Sequence, residues 1–280
     1  MEDLRKAFVT FDENDALLMK SIDEIFRNKV VKQGAKEYFI PSMLEEEVLE
    51  KSGYFRSFPQ HLTIPAFVKK ECFDQTVKNK KVTETQVGMQ NIYLTPSACL
   101  GLYPMLEGKT INDEIFTMNV NVYRYEEGRF DGKVRFWDYN VREVVFVGGN
   151  EFVNSKMGEF MDITKEISNE IGIPMSIMSA TDMFYPTPEN RIKKRFQSAN
   201  DLKFEMISHV DGKQVALGSF NYHNNHFSVP FHFDQNGTTI SACIGYGLQR
   251  WVAAIKDAGE QAINKVINYG KISEDFVMGE

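Results

Sequence analysis

At 280 residues, with 42% apolar and 12% aromatic residues, the chain has enough apolar surface to close a sizeable core as one large domain. Its formal net charge of −7 is opposite to the basic footprint that phosphate binding demands, which argues against nucleic acid as the main partner. The opening MEDLRKAFVTFDEND has no apolar leader core, no run reaches the ~18 apolar residues of a membrane helix, and three scattered Cys make no disulfide framework, so a cytoplasmic protein with no membrane segment is expected.

Residues 14 to 34 predict an amphipathic helix: Leu17, Leu18, Ile22, Ile25 and Phe26 recur at helical spacing, Asn14 or Asp15 is the expected cap, and Gly34 ends it. After the extended EYFIPS, a second helix is expected through MLEEEVLEKSG, capped by Ser42 and stopped by Gly53. The Pro-marked YFRSFPQHLTIP follows. To about residue 150 the pattern is strand, in QNIYLTP, EIFTMNVNVYRYE, KVRFWDYN and REVVFVGG, with EEGRFDG as a hairpin loop. GNEFVNSKMGEFMDITKEISNEIG reads as a helix closed by Gly172 and Pro174. DLKFEMISHV, KQVALGSFNYH and FSVPFHFDQNGTTISACIG then read as antiparallel strands turning at Asp211-Gly212 and Asn236-Gly237. LQRWVAAIKDAGEQAINKVINYG is the last helix, stopped by Gly270. With no repeat or linker, the expectation is an α+β fold in a single domain over residues 1–280, a mainly antiparallel sheet flanked by helices.

Three groups of residues carry chemistry. Cys99 follows a strand in LTPSACLGLY, Glu143 opens another in NVREVVFVGG, and Cys243 ends a third in TTISACIGYG. Two thiolates and a carboxylate suit zinc and leave a fourth position open; isolated Cys residues in apolar stretches are otherwise buried and inert. Gly245-Tyr-Gly247-Leu-Gln-Arg250 joins a strand to a helix, where glycine allows close backbone approach and Arg250 offers a donor fork to a triphosphate. The competing reading is an ordinary glycine-bearing turn. Arg124 and Glu126, in VYRYE, share one face by alternation; they suit an α-phosphate and an adenine amino group, or else an ion pair on a solvated face.

In order, the helix-then-Pro of GYFRSFPQHL, the Arg124/Glu126 hairpin and the GxGxxR before the last helix resemble motifs 1, 2 and 3 of class II aminoacyl-tRNA synthetases. LTPSAC, the Arg-Glu of NVREVVFVGG, ATDMFY, QSANDLKFE, SFNYHNNHF and SACIGYGLQR sharpen this. They are similar to the seryl-type core of the amino acid:[carrier protein] ligases, which themselves resemble the zinc-dependent seryl-tRNA synthetases of methanogenic archaea. The resemblance covers roughly residues 38 to 260.

The resemblance implies Cys99, Glu143 and Cys243 as zinc ligands, with the open position taking the α-amino group of an amino acid. It implies Arg124 on the substrate carboxylate and the α-phosphate, Glu126 on adenine, Arg250 on the γ-phosphate, and Phe136 or Trp137 stacked on adenine. Ser219, Asn221 and His223 would face the substrate, His223 as a contact and not a ligand; Arg142 either supports the reacting carboxylate or pairs with a structural acid. PMSIMSATDMF would line or back the pocket, its Met residues as core fillers. The acid common before the Ser-x-Asn element is missing from VALGSFN, leaving Glu205 and Ser219 as candidates for Mg²⁺, and motif 3 reads GLQR. The implied activity is ATP-dependent activation of a small amino acid, glycine or alanine, and its transfer to the phosphopantetheine thiol of a carrier protein. With no segment assigned to tRNA binding, tRNA is not the expected acceptor. A true tRNA synthetase, a regulatory paralogue without catalysis, and another acceptor are the competing readings. A homodimer through the motif 1 helix, near residues 43 to 58, is also implied.

Overall fold

The structure is a computed structural model that describes residues 4–126, 130–234 and 237–277, with side chains described as far as Tyr269. The first helix, α1 (Glu13–Lys32), is capped by Asp12, whose Oδ1 accepts from the backbone N–H of Asn14 and Asp15; the cap thus lies two or three residues before the predicted one, and Leu18, Ile22, Ile25, Phe26 and Val30 are its buried face. Then come β1 (Lys36–Glu37), β2 (Met43–Glu45), α2 (Glu46–Lys51) and α3 (Tyr54–Ser57). The single helix expected from residue 43 is therefore a strand and two short helices, because Met43–Glu45 pairs with a distant strand and Gly53, at φ +66°, breaks the chain direction; Ser42 caps nothing. The helix-then-Pro of GYFRSFPQHL is α3 followed by Pro59.

A small excursion follows, β3 (Ala66–Val68), α4 (Phe73–Asn79) and β4 (Val87–Met89), then β5 (Ile92–Leu94), which pairs with β2. A short turn carrying Cys99 leads to α5 (Tyr103–Leu106). The main sheet takes β6 (Glu114–Tyr123) and β7 (Asp138–Gly148), then α6 (Asn150–Ile171), β8 (Ser176–Ser179) and α7 (Pro188–Ala199). It is completed by β9 (Lys203–Val210), β10 (Lys213–Asn224) and β11 (Ile240–Gly247), before α8 (Leu248–Ala258) and α9 (Glu260–Val277). Seven strands form it in the order β1-β6-β7-β11-β10-β9-β8, antiparallel throughout except for β1 against β6. The expected α+β architecture, a mainly antiparallel sheet with flanking helices, is what forms.

Other boundaries differ from expectation. KVRFW is irregular and the strand begins at Asp138; FSVPFHF is a series of turns that buries Phe227, Phe231 and Phe233 beneath Tyr103 instead of extending. The last helix breaks at Gly259 (φ +94°) and runs on through Gly270. Parts of EEGRFDG and of the Asn236-Gly237 turn lie outside the described residues.

Strand alternation splits the sheet into two faces. On one, Val144, Phe146, Phe220, Ala242, Ile244 and Tyr246 pack with α1, α6 and α8, Phe26 stacking on Tyr246 at 4.0 Å. On the other, Phe116, Met118, Val120, Val145, Val147 and Cys243 pack under Ile40, Leu44, Leu49, Cys99 and Tyr103. The helix-free ends of β7, β10 and β11 on this second face are where a ligand has access. Among the described residues no helix is long and apolar enough to cross a membrane.

Candidate active site

A cleft on that second face is lined by Arg124, Glu126, Tyr139, Glu143, Lys203, Glu205, Ser219, Asn221, Cys243 and Arg250. Register explains the convergence. Glu143 on β7 stands opposite Gly245 on β11, which stands opposite Ser219 on β10; two residues along, Cys243 stands opposite Asn221. A Cβ on Gly245 would lie 3.0 Å from Glu143 Oε2, so the glycine leaves room for that carboxylate.

Cys99, Glu143 and Cys243 are all buried. The hydroxyl of Ser97 lies 3.4 Å from Cys99 Sγ, and Asn221 donates its amide to Cys243 Sγ at 3.7 Å. The Cys243 S–H donates to the Cys99 sulfur, which outweighs burial and draws Cys99 down to about 7; one thiol thus ionises first and keeps the proton on its neighbour, pushing Cys243 well up. Burial, then the charge of Cys99, lifts Glu143 well above the usual carboxylate range. Two thiols and a carboxylate this close are costly as anions in an apolar setting, and a divalent cation removes the cost. The soft donor set fits zinc. The three donors whose ligand atoms all lie within 4.8 Å of one another are Cys99, Cys243 and His223; Glu143 is not one of them, so the structure groups with the thiols the histidine that was expected to be only a substrate contact.

Also lining the cleft, Arg124 continues the β6 line, its backbone N–H donating to Trp137 O and its Nε to Pro96 O. Burial opposes its charge, but Tyr54, Glu126, Tyr139 and Asp182 hold the guanidinium firmly protonated. Glu126 lines the cleft and is 3.7 Å from Arg135. Arg250 stacks over Tyr139 at 5.1 Å and donates to Val134 O, Ala216 O and the Tyr139 hydroxyl, all neutral oxygens that leave its charge available to an anion.

Some expectations fail. Phe136 is a core residue, 2% exposed and edge-on to Phe11 and Tyr139, so it does not line the cleft; Trp137 packs on Phe8 and Tyr125. Arg142 points to the opposite face and binds Asp23 twice, at 2.7 and 2.8 Å, and Glu37 at 2.9 Å: its acids are structural. Glu205 lines the cleft but is paired with Lys203 at 3.3 Å, so it fits Mg²⁺ poorly. Met178 and Met183 are exposed and fill no core. Sequence reasoning did not single out Lys203, Asp182 or Tyr103. Lys203 shares its face of β9 with Glu205 and is held at 2.6 Å by Asp182, which Gln197 of α7 also holds; the alternation in LKFE was the available signal. Tyr103 touches His223 at 3.2 Å, a contact nothing local announces.

No family model matches the chain. It is 24% identical over 258 residues to a type-2 serine–tRNA ligase of Methanocaldococcus jannaschii, covering 84% of this chain and 49% of that protein. It is 24% identical over 237 residues to amino acid–[acyl-carrier-protein] ligase 1 of Bradyrhizobium diazoefficiens, covering 79% of this chain and 71% of the relative. The chain spans about half the length of the serine–tRNA ligases it matches. Among solved structures it superposes on a chain in the crystal structure of A. aeolicus tRNASec in complex with M. kandleri SerRS, with a TM-score of 0.78 and 18% identity over 97% of this chain and 57% of that one. The chain therefore has the class II synthetase catalytic fold, and in sequence it is similar both to amino acid–[acyl-carrier-protein] ligases and to archaeal type-2 seryl-tRNA synthetases.

Proposed function

We propose that this protein activates a small amino acid with ATP as an aminoacyl-adenylate and passes it to the phosphopantetheine thiol of a carrier protein. The observation that carries the reading is one cleft lined by Glu143, Cys243, Arg124 and Arg250, with Cys99 buried beside Cys243. Cys99, Glu143 and Cys243 would hold zinc, which when bound supplies a Lewis-acid position for a neutral amine. An amino acid held there by its nitrogen would have its carboxylate within reach of Arg124. Arg124 then holds the carboxylate against the α-phosphate, and Arg250 takes the charge of the departing pyrophosphate; both act by position and charge, which is most of what phosphoryl chemistry asks of a protein. Glu126 accepts from the adenine amino group. Ser219 and Asn221 stand beside Cys243, and this close wall favours glycine or alanine.

Amino-acid-dependent pyrophosphate exchange tests the first half. Exchange with glycine or alanine, lost in Cys99→Ala and Cys243→Ala, is the expected result; no exchange with any amino acid would make the protein a regulatory paralogue. Offering holo-carrier protein and total tRNA side by side tests the acceptor. Since the similar crystal structure holds a tRNA, accumulation of aminoacyl-tRNA is the outcome that would replace the carrier. A homodimer is also proposed, and a sedimentation mass near 32.2 kDa would refute it.

A further inference from the structure

Behind the sheet, on the face that α1 and α8 cover, lies a second cavity of about 440 Å³. Val9, Phe11, Met19 and Leu248 give it apolar walls, and a row of amides runs along its floor. Hydrogen bonding fixes how each amide is turned. Asp23, held by Arg142, can only accept, so the Asn119 nitrogen donates to its Oδ2 at 2.9 Å. That leaves the Asn119 oxygen for Asn140, whose Nδ2 donates to it at 2.6 Å and to the Asn121 oxygen at 2.8 Å. The backbone N–H of Asn140 donates to Gln249 Oε1 at 2.9 Å, which turns Gln249 Nε2 the other way. Among the described residues, the Asn121 and Gln249 amide nitrogens and the Asn140 side-chain oxygen are left without partners. Gln249 is only 8% exposed, and a buried donor left unmade is costly, so its amide is a strong site for an acceptor. Two charges stand on the same walls. The Asp138 carboxylate meets only its own backbone N–H, and burial raises it above the usual carboxylate range. Lys20, on α1, has no ion-pair partner among the described residues.

We propose that this cavity binds a free α-amino acid with an apolar side chain, as a second site separate from the cleft. The donors and acceptors match a zwitterion. Lys20 and the two amide nitrogens suit a carboxylate, and Asp138 with the Asn140 oxygen suits an ammonium group. Asp23 is already neutralised by Arg142, so the free charges on the walls sum to zero, as they do in the ligand. A net anion such as a nucleotide would face Asp138, and a simple amine would leave Lys20 and Gln249 unanswered. The apolar walls take the side chain. Binding here is placed to reach the cleft. Asp138 and Asn140 line this cavity while Tyr139, between them, lines the cleft, and Gln249 and Arg250 divide in the same way. The inference does not depend on the activity proposed for the cleft.

Isothermal titration calorimetry of the full chain with L-leucine, L-methionine and L-phenylalanine tests this. At least one of the three is expected to bind with a Kd below about 1 mM. Asn121→Asp sets a carboxylate against that of the ligand, and Asp138→Asn removes the partner of its ammonium group; each should raise Kd about tenfold or more. Cys243→Ala, in the cleft, should change it by less than about twofold. Isocaproate and isoamylamine, which each lack one charge of leucine, should bind about tenfold or more weakly than leucine. Absence of binding by all three amino acids up to about 10 mM overturns the inference. So does binding that Asn121→Asp and Asp138→Asn leave unchanged; if Cys243→Ala abolishes that binding, the ligand lies in the cleft. Isoamylamine or isocaproate binding as tightly as leucine overturns the zwitterion assignment and the inference with it. Asn121 is exposed on β6, so Asn121→Asp decides even if Asp138→Asn folds poorly.

Discussion

Replacing Gly245 by alanine probes the proposed metal site through one atom. The new Cβ would meet Glu143 Oε2 at 3.0 Å and Val141 Cγ1 at 3.6 Å, and no other heavy atom closer than the Glu143 carboxyl carbon at 3.9 Å. Ordinary contact begins near 3.4 Å, so the carboxylate must retreat by about 0.4 Å, more than the ~0.2 Å tolerance of a metal–ligand bond. Gly245 needs no left-handed backbone, so the fold itself is spared, and losing a strand glycine contributes roughly 0.5–1 kcal/mol of stability. The expected result is zinc affinity lowered about 10- to 100-fold by competition with a chromophoric chelator, while the urea midpoint holds or rises. Gly218→Ala is the contrast. There the Cβ would sit 2.2 Å from the backbone oxygen of Gly245, which cannot swing away, and the expected loss is about 3 kcal/mol of folding stability. Wild-type zinc affinity in a folded Gly245→Ala protein would refute the placement of Glu143 among the ligands.

Arg250→Lys cannot reproduce the contacts to Val134 O, Ala216 O and Tyr139, and pyrophosphate exchange should fall about 100-fold or more; a change under about threefold would count against Arg250 as a phosphate contact. Arg142→Met leaves Asp23 without its cation, while Glu37 keeps Arg27 at 2.8 Å. Because those acids are partly exposed, the loss should sit near the low end for a broken buried pair, about 2–3 kcal/mol in urea, with the amino acid KM unchanged; a raised KM at unchanged stability would restore Arg142 to the substrate. Burial, aided by Arg124, draws His61 down to about 4, whereas the unfolded chain titrates near 6.5. The unfolded state therefore takes up the extra proton between those values, so stability is full above about pH 6.5 and declines toward pH 4, by up to ~1.4 kcal/mol per pH unit. His61→Asn should flatten that slope, and an unaltered slope would show that His61 is not its source.

Local pattern was readable where one face of an element meets the core. The apolar period of α1, the Gly172 stop of α6 and the β-branched and aromatic runs of β6, β7 and β9 to β11 appear in the chain as written. It misled where partners are distant or the local signal is mixed. LEEEVLEK has a helical rhythm, yet Met43–Glu45 is recruited as a strand by Ile92–Leu94. FSVPFHF alternates like a strand, but its aromatic rings are gathered under Tyr103 by turns. α7 was missed because Ile192 and Phe196 stay exposed and only Asn190 is buried, so no core-facing stripe marks it.

The site divides in the same way. Residue chemistry by itself nominated two thiols, a carboxylate and two arginines, since few side chains bind zinc or triphosphates well. Which of them meet was decided by strand register: Glu143 reaches the thiols because it lies opposite Gly245, and Arg142, one residue earlier, is carried to the other face and its structural acids. Phe136 was lost to the core, and His223 was brought to the thiols by a bulge. Chain chemistry is a local property that sequence states directly. Facing, register and bulge placement depend on every strand packed alongside, and they exist only once the sheet has formed.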